Sequence, residues 1–202
     1  MVRAMSSDIE TFTELAARIL ARPARCGPVR LIAIDGPGGA GKSTFAARLA
    51  DGLGQASVVH TDDFASWDNP LNWWPRLEQQ VLQPLEAGHT GRFQRYDWDR
   101  RALADWHEVP AVGVVILEGV SSARRAVAQR LTYAVWIQVD PQVRLQRGLE
   151  RDGQEALGLW QGWMADEDRH FEQDQAAQRA DLLVDGDPRI PHDPRSDFVR
   201  SR

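Results

Sequence analysis

The segment spanning residues 29–50 constrains the fold of this chain more than any other. Residues 29–35 read Val-Arg-Leu-Ile-Ala-Ile-Asp, a β-branched apolar run suited to a buried parallel strand. It runs directly into Gly36-Pro37-Gly38-Gly39-Ala40-Gly41-Lys42-Ser43, which meets the pattern G-x-x-x-x-G-K-[ST] at every fixed position. Thr44 to Ala50 continue with helical spacing, and Gly52 and Gly54 stop the helix. Strand, glycine-rich loop and helix are the order this pattern requires. Residues without Cβ let successive N–H groups converge on phosphate oxygens, and the helix N-terminus adds a favourable partial charge. Gly36 to Thr44 are therefore the expected nucleotide-binding residues. Lys42 would reach the β- and γ-phosphates, and the Ser43 hydroxyl would ligate Mg²⁺.

Composition sharpens the assignment of Lys42. It is the single lysine of a 202-residue chain with 24 basic residues, the rest being arginine. A site that needs a compact ammonium on a flexible stem is not served by a planar guanidinium. The 29 acidic residues leave a net charge of −5, which argues against a nucleic-acid partner needing a basic face. With 43% hydrophobic and 26% charged residues the composition is that of a globular domain. The longest apolar run, around Val114–Leu117, is far too short for a membrane span. Cys26 stands alone, which excludes an internal disulfide or a Cys-based metal cluster. The N-terminal residues lack the apolar core of a signal peptide, so a cytoplasmic location is expected.

Along the chain, strands and helices alternate. Ser7 to Glu10 read as a capping box opening a helix whose face is Ile9, Phe12, Leu15, Ala16 and Ile19, packed outside the main sheet. Further strands are expected at 57–60, 111–117 and 133–139, with a short last one at 180–185. Helices are expected at 71–87 (kinked or stopped by Pro84), 121–130, 141–152 and 158–178. The organisation that follows is a helix and connector at 1–28, a phosphate-loop domain at 29–186 with a candidate lid at about 144–170, and a polar tail at 187–202 read as loop or disorder. The fold class is α/β, a mostly parallel sheet with helices on both faces and its ligand crevice at the carboxyl ends of the strands.

Three further features fall at that crevice. Asp62 and Asp63 directly follow the second strand, where carboxylates can hold Mg²⁺ or take a proton from an acceptor hydroxyl; capping of a following turn is the competing reading. Glu118 ends the apolar run Val114-Val115-Ile116-Leu117, the position of a metal-binding carboxylate. Arg144, Arg147 and Arg151 share one helical face, either a solvated stripe or a lid over the phosphates.

The ordered set Gly36–Ser43, Asp62-Asp63-Phe64, Tyr96-Asp97-Trp98, Leu117-Glu118-Gly119 and Arg144-x-x-Arg147…Arg151-Asp152 resembles the uridine kinase family of P-loop nucleoside kinases. The resemblance spans about residues 29–186. It implies a nucleoside kinase-like fold with an Arg-bearing lid, ATP and Mg²⁺ as cofactors, and a small-molecule acceptor as partner, with self-association left open. Carried over residue by residue, it makes Asp62 the base and Glu118 a magnesium ligand beside Ser43, with Asp62 and Asp63 as further candidate ligands. Lys42, Arg147 and Arg151 act on the transferring group. Asp63, Trp67, Arg95, Tyr96 and Asp97 fall on the acceptor side. The chain departs from that family where Ala65 replaces a tyrosine, and where Asp99-Arg100-Arg101 follow Tyr-Asp-aromatic in place of a histidine. Trp67, Trp73 and Trp74 cluster on that side, as substrate platforms or as packing. The acceptor expected is a nucleoside such as uridine or cytidine, or a non-nucleoside hydroxyl of a vitamin precursor, sugar or antibiotic. A GTPase is excluded because its Asn-Lys-x-Asp segment needs a second lysine, while a non-catalytic ATP-binding module stays open.

Overall fold

The computed structural model describes residues 8–66, 69 and 72–201. In chain order the elements are β1 (Ile9–Thr11), α1 (Phe12–Leu20), β2 (Arg30–Asp35), α2 (Lys42–Leu53), β3 (Ala56–His60), α3 (Trp74–Leu77), a π turn (Glu78–Leu82), α4 (Gln83–Glu86), β4 (Gly91–Asp97), β5 (Ala102–Val109), β6 (Val114–Glu118), β7 (Leu131–Gln138), α5 (Pro141–Asp152), α6 (Leu157–Asp174), α7 (Ala176–Arg179), β8 (Leu182–Asp185) and β9 (Asp197–Val199). Five strands form one parallel sheet in the order β3-β6-β2-β7-β8. The chain leaves β2 toward β3 on one side and later reaches β7 on the other. The loop after β2 therefore sits at the switch point, where α/β sheets open a crevice.

The period-two alternation of the central strands divides the core into two layers. Leu31, Ala33, Val115, Leu117, Ala134 and Trp136 face the helical stretch 74–86 and the β4–β5 hairpin. Ile32, Ile34, Val114, Ile116, Val135 and Ile137 face α1 and α2. On that second side Phe12, Phe45 and Phe198 form a triangle of rings with centroids 5.0–5.3 Å apart. Among the described residues no helix is long and apolar enough to cross a membrane.

Several elements differ from expectation, each for a visible reason. The capping box belongs to Thr11 and Glu14, which exchange hydrogen bonds with each other's backbone or side chain, so the helix starts at Phe12. Ser7 lies outside the described residues, and Ile9 belongs to a strand. That strand exists because the tail at 187–202 is not all loop: β9 returns to pair antiparallel with β1. The helix expected at 121–130 is replaced by turns and one 3₁₀ turn at Arg125–Val127, because Ser121 takes a left-handed φ of 64° and Arg124 an extended ψ of 154°, neither of which a helix accommodates. The helix of 158–178 breaks at Gln175, whose φ of 58° is left-handed. The π turn ahead of Pro84 explains how the 74–86 stretch survives its proline. Pro84 has no N–H and crowds the carbonyl four residues back, and a wider turn relieves both. The β4–β5 hairpin was not anticipated at all.

Candidate active site

The loop 36–41 links the end of β2 to the start of α2. It turns at Gly36, with φ of 141°, where a Cβ would lie 2.2 Å from the Ile137 carbonyl oxygen, so only glycine fits. Asp35, fully buried, fixes this turn. One carboxylate oxygen accepts the N–H groups of Gly36 (2.7 Å) and Ser121 (2.8 Å), and the other accepts that of Ala123 (2.8 Å). Burial nevertheless pushes its pKa up to about 6, against the pull of those N–H groups and of Lys42. Sequence reasoning gave Asp35 no role. Its one signal was a charge closing the apolar run Leu31–Ile34.

Lys42 opens α2 and is buried, with Nζ donating to the Pro37 carbonyl at 2.9 Å. Ser43 Oγ donates to Glu118 Oε1 at 3.2 Å. Glu118 is buried at the end of β6, and its Oε2 lies 2.6 Å from His60 Nδ1 at the end of the paired strand β3. That hydrogen bond raises the His60 pKa. A hydroxyl and a single carboxylate suit Mg²⁺, which takes few protein ligands and completes its shell with phosphate oxygens and water. Among the described residues no group of three or more His, Cys, Asp or Glu side chains forms a self-sufficient cage.

Asp62 lies in the 3₁₀ turn Thr61–Asp63 that follows β3. Burial raises its pKa, with Lys42, Glu118, His60 and Arg151 close enough to modulate it electrostatically. Trp98 Nε1 donates to the Asp62 carbonyl at 3.2 Å, holding the hairpin end to this turn. Lys42, Ser43, Asp62, Glu118, Arg147 and Arg151 all line one cavity of about 900 Å³, together with Gly38, Gly39, Gly41 and Thr44 of the loop. The geometry thus brings the donor-side residues and Asp62 into a single space.

The arginine stripe separates. Arg147 Nη1 donates to the carbonyls of Gly39 (3.3 Å) and Gly186 (3.0 Å), while Nη2 pairs with Asp187 (2.7 Å). Arg151 forms a two-pronged pair with Asp152 at 2.8 Å. Arg144 leaves the set: it is buried and pairs with Glu167 and Asp168. Trp160, Trp163 and Glu167 of α6 also line the cavity.

On the acceptor side the expected residues disperse. Tyr96 lines a second cleft of about 480 Å³ with Phe64, Asn72, Trp73, Arg76 and Leu103. Asp97 turns its carboxylate onto the N–H groups of Asp99 and Arg100, closing the hairpin turn, and those contacts lower its pKa. Arg95 is exposed where the β4–β5 register shifts. Asp63 is not among the cavity-lining residues; burial raises its pKa, and His60, His107 and Arg95 act on it. Trp67 lies outside the described residues. Trp73 is core, with the Arg124 guanidinium 4.7 Å above its ring and 4.9 Å from that of Trp74.

No protein-family model matches the chain, and no curated protein matches it significantly in sequence. Solved structures do match in fold. A possible uridine kinase from Bacillus stearothermophilus superposes with a TM-score of 0.61 at 20% identity, over 85% of this chain and 96% of that one. A candidate fructose transport system kinase from Silicibacter sp. TM1040 gives 0.59 at 21% identity, over 82% and 95%. The fold is that of the uridine kinase-like P-loop kinases.

Proposed function

We propose that this chain is a phosphotransferase that moves the γ-phosphoryl group of ATP to a hydroxyl of a small molecule. The observation that carries this reading is the convergence of Lys42, Ser43, Glu118 and Asp62 on one cavity at the glycine-rich loop. The loop N–H groups and Lys42 hold the triphosphate, and Lys42 exchanges its contact with the Pro37 carbonyl for phosphate oxygens. Ser43 and Glu118 would hold Mg²⁺, which when bound offsets charge on the phosphates. Asp62 accepts the hydroxyl proton as the acceptor oxygen bonds to phosphorus and ADP departs. Its raised pKa makes it a better base than an exposed aspartate. Arg147 and Arg151, which line the same cavity, offset charge in the transition state.

The acceptor hydroxyl enters beside Trp98, between the Asp62 turn and the end of the hairpin. Uridine and cytidine are the first acceptors this reading names. A second reading, a non-nucleoside hydroxyl such as that of a sugar, vitamin precursor or antibiotic, is favoured by the use of Asp97 in its own hairpin turn. It also agrees with the name of the fructose-system neighbour. The test is ADP release from Mg·ATP with and without a panel of hydroxyl compounds headed by uridine and cytidine, with Lys42→Ala as the blank. Acceptor-dependent release supports a kinase, and the responding compound assigns the class. ATP binding with no response to any acceptor would sink the catalytic reading in favour of a nucleotide-binding module.

A further inference from the structure

The glycine-rich loop of this chain already holds a carboxyl group, supplied by the chain itself. The N–H of Gly38 donates to both carboxylate oxygens of Glu167, at 3.2 and 3.1 Å, across 129 residues of sequence. Glu167 is 1% exposed. Its carboxylate also accepts from Trp163 Nε1 and from Arg144 Nη1 at 3.2 Å. Arg144 is buried in turn and reaches Asp168 at 2.9 Å. Seven residues earlier on the same face of α6, Trp160 presses on α5 at Gly148, where a Cβ would lie 2.3 Å from its ring. The Trp160 ring also reaches Gly38: a Cβ built there would lie 3.3 Å from it. Helix α6 is thus seated on the loop through one carboxylate and one ring.

A cradle of N–H groups shaped for phosphate oxygens attracts a carboxylate by the same electrostatics. A bound triphosphate brings several negative oxygens to that cradle. In a buried site two anions do not share one N–H at hydrogen-bond distance without a large repulsion. We propose that Glu167 is an internal occupant of the phosphate cradle, which the nucleotide must displace, so that α6 is latched onto the loop in the empty chain and released by ATP. This rests on the kinase reading above. It adds that apparent nucleotide affinity is reduced by the fraction of chains with the latch closed. Glu167 is then an antagonist of nucleotide binding, although it lines the nucleotide's cavity.

The sign of the effect makes this testable. Glu167→Gln keeps the shape of the side chain and removes its charge. Mg·ATP affinity, measured by calorimetry, should tighten by roughly tenfold, the scale expected when a charge-assisted hydrogen bond no longer competes. Unchanged or weaker affinity in a folded Glu167→Gln protein overturns the latch. The substitution also leaves Arg144 with a weaker partner, so a measurement on the unaltered chain is paired with it. Hydrogen exchange in α6 peptides should rise when Mg·ATP is added, and unchanged or slower exchange overturns the proposal even if the variant misfolds. The two readings fail differently. If the unaltered chain binds no Mg·ATP, both fall, whereas normal ATP binding that ignores Glu167→Gln removes the latch and leaves the kinase reading intact.

Discussion

Lys42 and Asp62 face the same cavity but reach it by opposite routes. Lys42 is delivered by a contiguous stretch, in which β2 ends, the loop turns at Gly36 and α2 begins. Asp62 is delivered by a short 3₁₀ turn whose surroundings come from distant segments: Trp98 from the end of the hairpin, Glu118 from β6 and Arg151 from α5. On the kinase reading proposed above, the donor wall rests mostly on one contiguous stretch, and a substitution there should act on nucleotide and phosphoryl alike. The acceptor wall is an assembly of long-range contacts. Substitutions there should separate acceptor binding from ATP binding.

The strongest test of this contrast is the pair Lys42→Ala and Asp62→Asn. Lys42→Ala should weaken ATP binding and lower turnover on the order of 10³-fold, as expected when a preorganised cation at the transition state is lost. Asp62→Asn should cost on the order of 10²–10⁴ in kcat, the scale of a missing general base, while ATP binding by calorimetry stays within about twofold. If Asp62→Asn turns over normally on its acceptor, the base is some other group. A smaller effect is expected at Trp98, which donates to the Asp62 carbonyl and borders the cavity. Trp98→Phe should raise the acceptor KM about tenfold, roughly the loss of one hydrogen bond, with the KM for ATP unchanged. A parallel rise in both KM values would show that the hairpin serves the donor wall as well.

The mildest test concerns pH. Asp35 carries a pKa raised from the ordinary aspartate value to about 6, so the folded chain favours its protonated form. Its contribution to stability is fully present below about pH 4 and is lost as the pH rises through about 6, on the order of 3 kcal/mol. Burial raises Asp62, Asp63 and Glu167 in the same sense. Thermal unfolding of the nucleotide-free chain should therefore shift up by several degrees between pH 7 and pH 5. Asp35→Asn should flatten that slope while lowering Tm, because an amide NH₂ then faces a backbone N–H. A slope unaffected by Asp35→Asn would place the titration elsewhere. Below about pH 4 the trend reverses, since Glu14, Asp97, Asp152 and Asp174 have lowered pKa values and lose stabilising contacts on protonation.

The central strands were legible because the unbroken apolar runs Leu31–Ile34 and Val114–Leu117 mark strands buried on both faces. The helix expected at 141–152 is α5, which Pro141 opens and the Asp140 side chain caps by accepting the Gln142 N–H. The β4–β5 hairpin was missed although Asp97 and its following residues carry turn chemistry. Its strands are mostly exposed on β5, and the register shift around Arg95 interrupts the alternation that would reveal them. The apolar periodicity of 121–130 misled for a different reason. Ser121 takes a left-handed φ of 64° with its N–H held by a carboxylate 86 residues upstream, and no local pattern announces either.

What the sequence determined by itself is the glycine-rich loop, because Gly36–Ser43 follow an apolar strand and open a helix, which places Lys42 and Ser43 at the helix start. Which groups complete the site was decided only by tertiary structure. Arg144 and Arg147 lie on one helical face, yet one is buried against Glu167 and the other reaches the loop at Gly39. Glu167 and Trp160 join the site only because α6 is laid on the loop at Gly38. A spacing along the chain states which residues share a face. Only the path of the chain in space states what that face meets.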